Sequence, residues 1–341
     1  MATQHLVHAI PVEIQPVVRL KFTRASLQSG VSLVQANGPL ARNVVERTKA
    51  LPVQPGFAPT HLIVVDQSEY LSELAARLAA EGIQRQEGPH NFLDLDGIAR
   101  QVLVATTLIG HSIWRVGGSH TFDHSEPDFP YRTAGYAHRP TQGIEGLLRY
   151  ADSPDWFSDI QARALRNTCE KLDCYYRDGS WWVDPLSVAL GYFWTGLTSQ
   201  HPELSFLALC MTLEAIASTS QNEITHILAE RCAVLVHPPG QDRIDLYKEI
   251  KALYGLRSKI VHGRSAPRKG PVNWSTLAIT AKKSVVPKQQ TRRMLAVTIL
   301  VLKSVLARSS LLELLRKRRS EEKTTEALNE YFLGLLLRGE A

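Results

Sequence analysis

Acidic residues are missing from a long stretch of this chain. Between Lys251 and Leu312 there is no Asp and no Glu, while Lys251, Arg257, Lys259, Arg264, Arg268, Lys269, Lys282, Lys283, Lys288, Arg292, Arg293, Lys303 and Arg308 all fall inside it. Positive charge is thus concentrated in one part of the sequence, which suits an anionic partner; the formal net charge of +6 points the same way more weakly. Cysteine is scarce too. Cys169, Cys174, Cys210 and Cys232 follow no zinc-ligand spacing, and Cys210 and Cys232 fall in apolar helical patterns where reduced, buried thiols are expected. That usage fits a reducing, cytoplasmic compartment. Long apolar runs are also lacking: Leu204 to Ala217 and Met294 to Ala307 are too short to span a bilayer and contain Glu214 and Lys303. The opening residues, MATQHLVHAIPVEIQPVV, show no basic start followed by an apolar run, so neither export nor a membrane partner is expected.

The chain does have enough apolar residues to fold by itself. With 44% hydrophobic and 21% charged residues over 341 positions, it exceeds what one compact core usually fills, so two domains are expected. The first, residues 1–185, mixes signals. HLVHAIPVEI and HLIVVDQ cluster β-branched residues as strands do, whereas Ser68 to Glu81 repeats apolar residues at helical spacing behind Ser68 as a cap. QVLVATTLIG reads as a buried strand, with a helix as the alternative because its period is not clean. Gly117 to Gly143 is rich in Gly, Pro, His and Asp and reads as a long loop. His120 and His124 stand there at a spacing that would suit a metal on a helix; in a loop it carries little weight, and no metal site is expected. Asp66 ends a strand pattern without a Gly-rich phosphate loop, so no nucleotide-hydrolysing domain is expected.

The second domain, residues 186–341, reads as all helix. Pro185 to Thr198, Leu204 to Thr219, Ile224 to Val236, Ile244 to His262 and Arg292 to Leu315 carry apolar residues at helical spacing, and HPE, HPPGQD and RSAPRKGP separate them. A last helix is expected within Ser320 to Ala341, its apolar face formed by Leu328, Tyr331, Phe332, Leu335 and Leu336. The fold class is therefore α+β: a mixed α/β N-terminal domain followed by a helical bundle.

The most informative segment is Leu253 to Gly263, LYGLRSKIVHG. A five-residue step in a helix turns roughly 140° and rises about 7.5 Å, so Arg257 and His262 do not share one stripe. They converge only if the arginine stem reaches around, the last turn distorts, or a second copy supplies a partner. Gly263 suits a helix stop, which would put His262 in the final turn, where the helix dipole favours its protonated form. Such a pair suits phosphodiester cleavage: histidine titrates near neutrality and can move a proton, while the arginine fork holds phosphate oxygens as charge builds. Neither role needs a metal.

LYGLRSKIVHG resembles the hallmark of HEPN domains, the Apea-like group in particular, in which an arginine, four to six residues and a histidine recur. FLALCMTLEAIA (Phe206 to Ala217) resembles that family's helix with an embedded acidic residue, and ITHILAERCAVLV (Ile224 to Val236) its next helix. The resemblance covers roughly residues 195 to 310. It implies a helical bundle pairing as a homodimer, with the two motifs meeting in a cleft, and a metal-independent, cofactor-free endoribonuclease in which the 2′-hydroxyl attacks the adjacent phosphorus. Many relatives belong to toxin–antitoxin pairs or anti-phage systems, which implies RNA and an antitoxin or defence protein as partners; some have lost catalysis and only bind.

Carried over, Arg257 stabilises the phosphate, and His262 serves as acid or base or orients the ribose. Glu214 takes the place of the supporting acid, and Ser258 that of the polar residue after the arginine. From the residues themselves, Ser258, Lys259, Arg264, Arg268 and Lys269 are candidates to hold an RNA backbone, with a solvated basic loop over Gly263 to Gly270 as the alternative. Two readings of Glu214 stand side by side: support for the motif, or a structural ion pair with an arginine such as Arg231.

Overall fold

The computed structural model describes residues 6–15, 24–36, 42, 44, 60–80, 95–110, 113–116, 120–123, 131–134, 159–172, 184–199, 201–218, 224–261, 288–316 and 321–338. The chain is an α+β protein that divides into two compact units, Met1–Gly179 and Ser180–Ala341.

The first unit is built on an antiparallel sheet of strands β1 (Leu6–Gln15), β2 (Arg24–Gln28), β3 (Val31–Gln35), β4 (His61–Asp66), β5 (Ile113–Val116), β6 (His120–Asp123) and β7 (Tyr131–Ala134). Their order is β2-β3-β4-β1-β6-β7, with β5 following the same edge of β1 as β6. Strands β1 and β4 are neighbours, with Ile10 opposite Ile63, and Val7, Ala9, Ile10 and Val12 of the one and Leu62, Ile63 and Val65 of the other are all buried, as near-continuous apolar runs rather than an alternation. Gly30, at φ 72°, makes the β2–β3 turn, and a Cβ there would stand 2.5 Å from the Tyr70 backbone nitrogen; only glycine fits.

Three helices join this sheet: α1 (Gln67–Ala80), α2 (Leu95–Gly110) and α3 (Asp159–Leu172). The N-terminus of α1 is capped by Asp66, not by Ser68: Asp66 Oδ1 accepts from the Glu69 amide at 3.1 Å and from Ser68 Oγ at 2.8 Å. The segment QVLVATTLIG is the greater part of α2, a helix where a strand was expected. The reason is burial. Gln101 through Leu108 are all buried, and a helix covered on every side loses the apolar period by which sequence reveals it. Its hydroxyls are satisfied internally, Thr106 and Thr107 both donating to the Leu103 carbonyl at 2.8 and 2.9 Å. Gln101 Nε2 donates to Gln28 Oε1 at 2.9 Å and to the Cys169 carbonyl at 2.6 Å, joining α2 to β2 and α3. The expected loop over Gly117 to Gly143 contains β6 and β7 as an antiparallel pair. His120 lies in β6 and His124 outside the described residues; among the described residues no cluster of His, Cys, Asp or Glu could hold a metal.

The second unit is all helix among its described residues: α4 (Pro185–Thr198), α5 (Pro202–Ala217), α6 (Ile224–Val236), α7 (Gln241–Val261), α8 (Lys288–Ala307), α9 (Ser309–Arg316) and α10 (Glu321–Arg338). Asp184 and Ser187 cap α4 reciprocally, with Pro185 at the first helical position. Gly196 lets α5 come close, since a Cβ there would stand 2.9 Å from the Leu209 side chain, and Ser205 Oγ donates to the Gly196 carbonyl at 2.7 Å. The expected single helix over Arg292 to Leu315 is two, bent by 98° at Arg308. No Gly or Pro marks this break; the turn swings Leu311, Leu312 and Leu315 into the core against α4 and α10. On α10, Leu328 and Phe332 are buried, but Leu336 of the expected apolar face is 39% exposed. Among the described residues no single helix is long and apolar enough to cross a membrane.

Candidate functional site

Helix α7 buries Leu246, Ile250, Leu253 and Tyr254, an i, i+4, i+7, i+8 stripe against α5, α6 and α8. Arg257 is the next position on that stripe, where it leaves the core, so its guanidinium is carried to the edge of the bundle rather than into solvent. Its partner comes from α5. Arg257 Nε lies 2.8 Å from Glu214 Oε1, and Nη2 donates to Oε2 at 3.2 Å; both side chains are partly exposed, at 29% and 22%. The Nε–H is buried and not aimed at an acceptor, so the short Nε contact is one of charge rather than a made hydrogen bond.

Tyr254, one turn before Arg257, completes the cluster. Its hydroxyl donates to Glu214 Oε1 at 2.5 Å, and the Arg257 guanidinium carbon stands 5.2 Å from its ring centroid. Burial pushes the Tyr254 phenol well above its ordinary range, and the hydrogen bond and charge of Glu214 push it further, so it remains a proton donor. Cys210, one turn before Glu214 on α5, is held as a thiol by burial first and by the neighbouring carboxylate second. The result is a guanidinium fixed on two sides by a carboxylate and an aromatic face. It is geometrically prepared to meet an anion, and a phosphate arriving there would compete with Glu214.

The structure decides between the two open readings of the partner of Glu214. Arg231 does not pair with it: Arg231 Nη1 donates to the Ala217 carbonyl at 2.9 Å, Nη2 to Asn329 Oδ1 at 2.5 Å, and its guanidinium lies 4.9 Å from the Phe332 ring centroid. It ties the end of α5 to α10. The pair is Glu214 with Arg257, a contact in keeping with the first of the two readings, in which Glu214 supports the motif. Ser258 and Lys259 are exposed on the last turn of α7. His262, Arg264, Arg268 and Lys269 lie outside the described residues, which on α7 end at Val261. Tyr254 was missed as a site residue. Its signal was present, because a tyrosine three residues before Arg257 on a helix shares its face.

Comparison with known proteins gave no match: no family model, no curated protein and no solved structure is similar to this chain.

Proposed function

We propose that this chain is a metal-independent endoribonuclease of the HEPN type, acting in the cytoplasm of a prokaryote in anti-phage defence or toxin–antitoxin growth arrest. The observation that carries the reading is the Arg257–Glu214–Tyr254 cluster at the edge of the helical unit, in which Tyr254 and Arg257 belong to the motif LYGLRSKIVHG and to a span free of acidic residues. Arg257 takes the scissile phosphate and offsets the charge that develops as the ribose 2′-hydroxyl attacks phosphorus. As the 2′-oxygen bonds to phosphorus the P–O5′ bond breaks, His262 moves a proton to or from the reacting oxygens, and the products are a 2′,3′-cyclic phosphate and a 5′-hydroxyl. Glu214 and Tyr254 set the direction of the guanidinium. Lys259, Arg264, Arg268 and Lys269 hold the backbone of the RNA, and two copies of the chain bring their motifs into one cleft.

One observation favours a second reading. Arg257 already has an intramolecular counter-ion, as it would in a HEPN module that binds RNA or a nucleotide, or serves as a dimerisation scaffold, without cutting. The experiment that separates the two incubates native protein, Arg257→Ala and His262→Ala with mixed RNA in EDTA. The nuclease requires cleavage by the native chain alone, with cyclic-phosphate ends; equal RNA binding and no cleavage by all three overturns it.

A further inference from the structure

Glu214 belongs to the last turn of its helix. Helix α5 finishes at Ala217, and the Ser218 amide donates to the Glu214 carbonyl at 2.8 Å as its cap. A carboxylate there stands at the negative end of the helix dipole and is repelled by the carbonyls of that turn. Two cations from neighbouring helices answer this. Arg257 of α7 takes the carboxylate itself, and Arg231 of α6 takes the backbone, its Nη1 donating to the Ala217 carbonyl at 2.9 Å. Ala217 follows Glu214 by about 4.5 Å along the axis and stands about 60° from it around the helix. Arg231 is held in turn from α10: Nη2 donates to Asn329 Oδ1 at 2.5 Å, and the guanidinium carbon lies 4.9 Å from the centroid of the buried Phe332 ring. A planar fork with donors on two sides can serve the Ala217 carbonyl and Asn329 at once; the single ammonium of a lysine cannot reproduce that geometry.

We infer that Arg231 is a positioning residue for the Arg257 site: clamped by Asn329 and Phe332, it fixes the last turn of α5 and, through Glu214, the direction of the Arg257 guanidinium. The chain's last helix thereby sets the geometry of a site carried by α5 and α7. This role deepens the ribonuclease reading and rests on it for the substrate, not for the geometry.

The test is a double-mutant cycle in urea unfolding of the full chain, pairing Asn329→Ala on α10 with Tyr254→Phe in the cluster. If Asn329 and Arg231 only keep α10 in place, the two losses multiply in the unfolding equilibrium constant to within about 2-fold, as independent sites do. Positioning predicts a departure from that product of about 3- to 10-fold, because a turn already loosened at Ala217 has less to lose when Glu214 gives up the Tyr254 hydroxyl. Arg231→Lys, which keeps the charge without the two-sided fork, should couple to Tyr254→Phe in the same direction. Asn329→Ala combined with Arg293→Gln, which breaks the pair with Glu249 on α7 instead, should multiply. In cleavage assays run alongside, Asn329→Ala should lower kcat about 3- to 10-fold and leave KM within about 2-fold, since the guanidinium acts in the transition state. Losses that multiply, an equal departure in the Arg293→Gln control, or native kcat in Asn329→Ala overturns the positioning. A coupled cycle with no cleavage by the native chain removes only the nuclease.

Discussion

Glu214 receives two donors from α7, the Tyr254 hydroxyl and the Arg257 guanidinium, and neither donor can be lost without leaving a partly buried charge under-served. Tyr254→Phe keeps the ring under the guanidinium and removes only the hydroxyl, so it should cost roughly 1.5–3 kcal/mol in urea unfolding, the range for hydrogen bonds to charged groups. A loss below a few tenths of that would mean the bond is idle. His61 makes a different case. It is 1% exposed, its Nδ1 is 2.8 Å from Thr60 Oγ1, and its Nε2 has no partner among the described residues. Burial lowers its pKa from 6.5 to about 4. The unfolded chain therefore binds the proton first as pH falls, so this stability is complete above pH about 6.5 and is lost on the way to about pH 4, in all roughly 3 kcal/mol. His8 is lowered as well, chiefly by burial, and adds the same sign. Thermal unfolding between pH 7.5 and 4.5 checks it: a native-like pH profile in His61→Leu would show that the imidazole is not the group responsible.

At the scale of elements, local chemistry and packing decide different things. The bounds of α4 and α6 agree with their apolar spacing, and the Asp184–Pro185 start of α4 is a signal contained in adjacent residues. The helix α2 and the break at Arg308 are set by what surrounds them, so the sequence pattern there reads as a strand and as one unbroken helix. The approach of α4 to α5 depends on one missing Cβ. Gly196→Ala places a methyl carbon against Leu209, and this outweighs the usual gain in helix propensity. It should lower stability by roughly 1–3 kcal/mol, measured as a shift of the unfolding midpoint with unchanged m-value. An increase in stability would mean that Leu209 moves aside freely.

For the whole molecule, the separation into Met1–Gly179 and Ser180–Ala341 gives each unit its own core. A fragment of residues 180–341 is expected to melt cooperatively with a helical circular dichroism spectrum, and its stability should lack the loss contributed by His8 and His61 as pH falls, since both belong to the other unit. A fragment without a cooperative transition would contradict this. The sequence by itself determined the α+β class, the strands around β1 and β4, most helices of the second unit, and Arg257 as a residue of interest, each written in neighbouring residues through period, capping and motif spacing. Glu214 was singled out only by resemblance. Only the tertiary structure decided that Glu214 pairs with Arg257 rather than Arg231, that Tyr254 joins them, and that Arg231 ties the end of α5 to Asn329 and Phe332 of α10. Those contacts join residues on different helices, some of them 43 positions apart, and a side chain's partner is fixed by which faces the packed core turns toward each other.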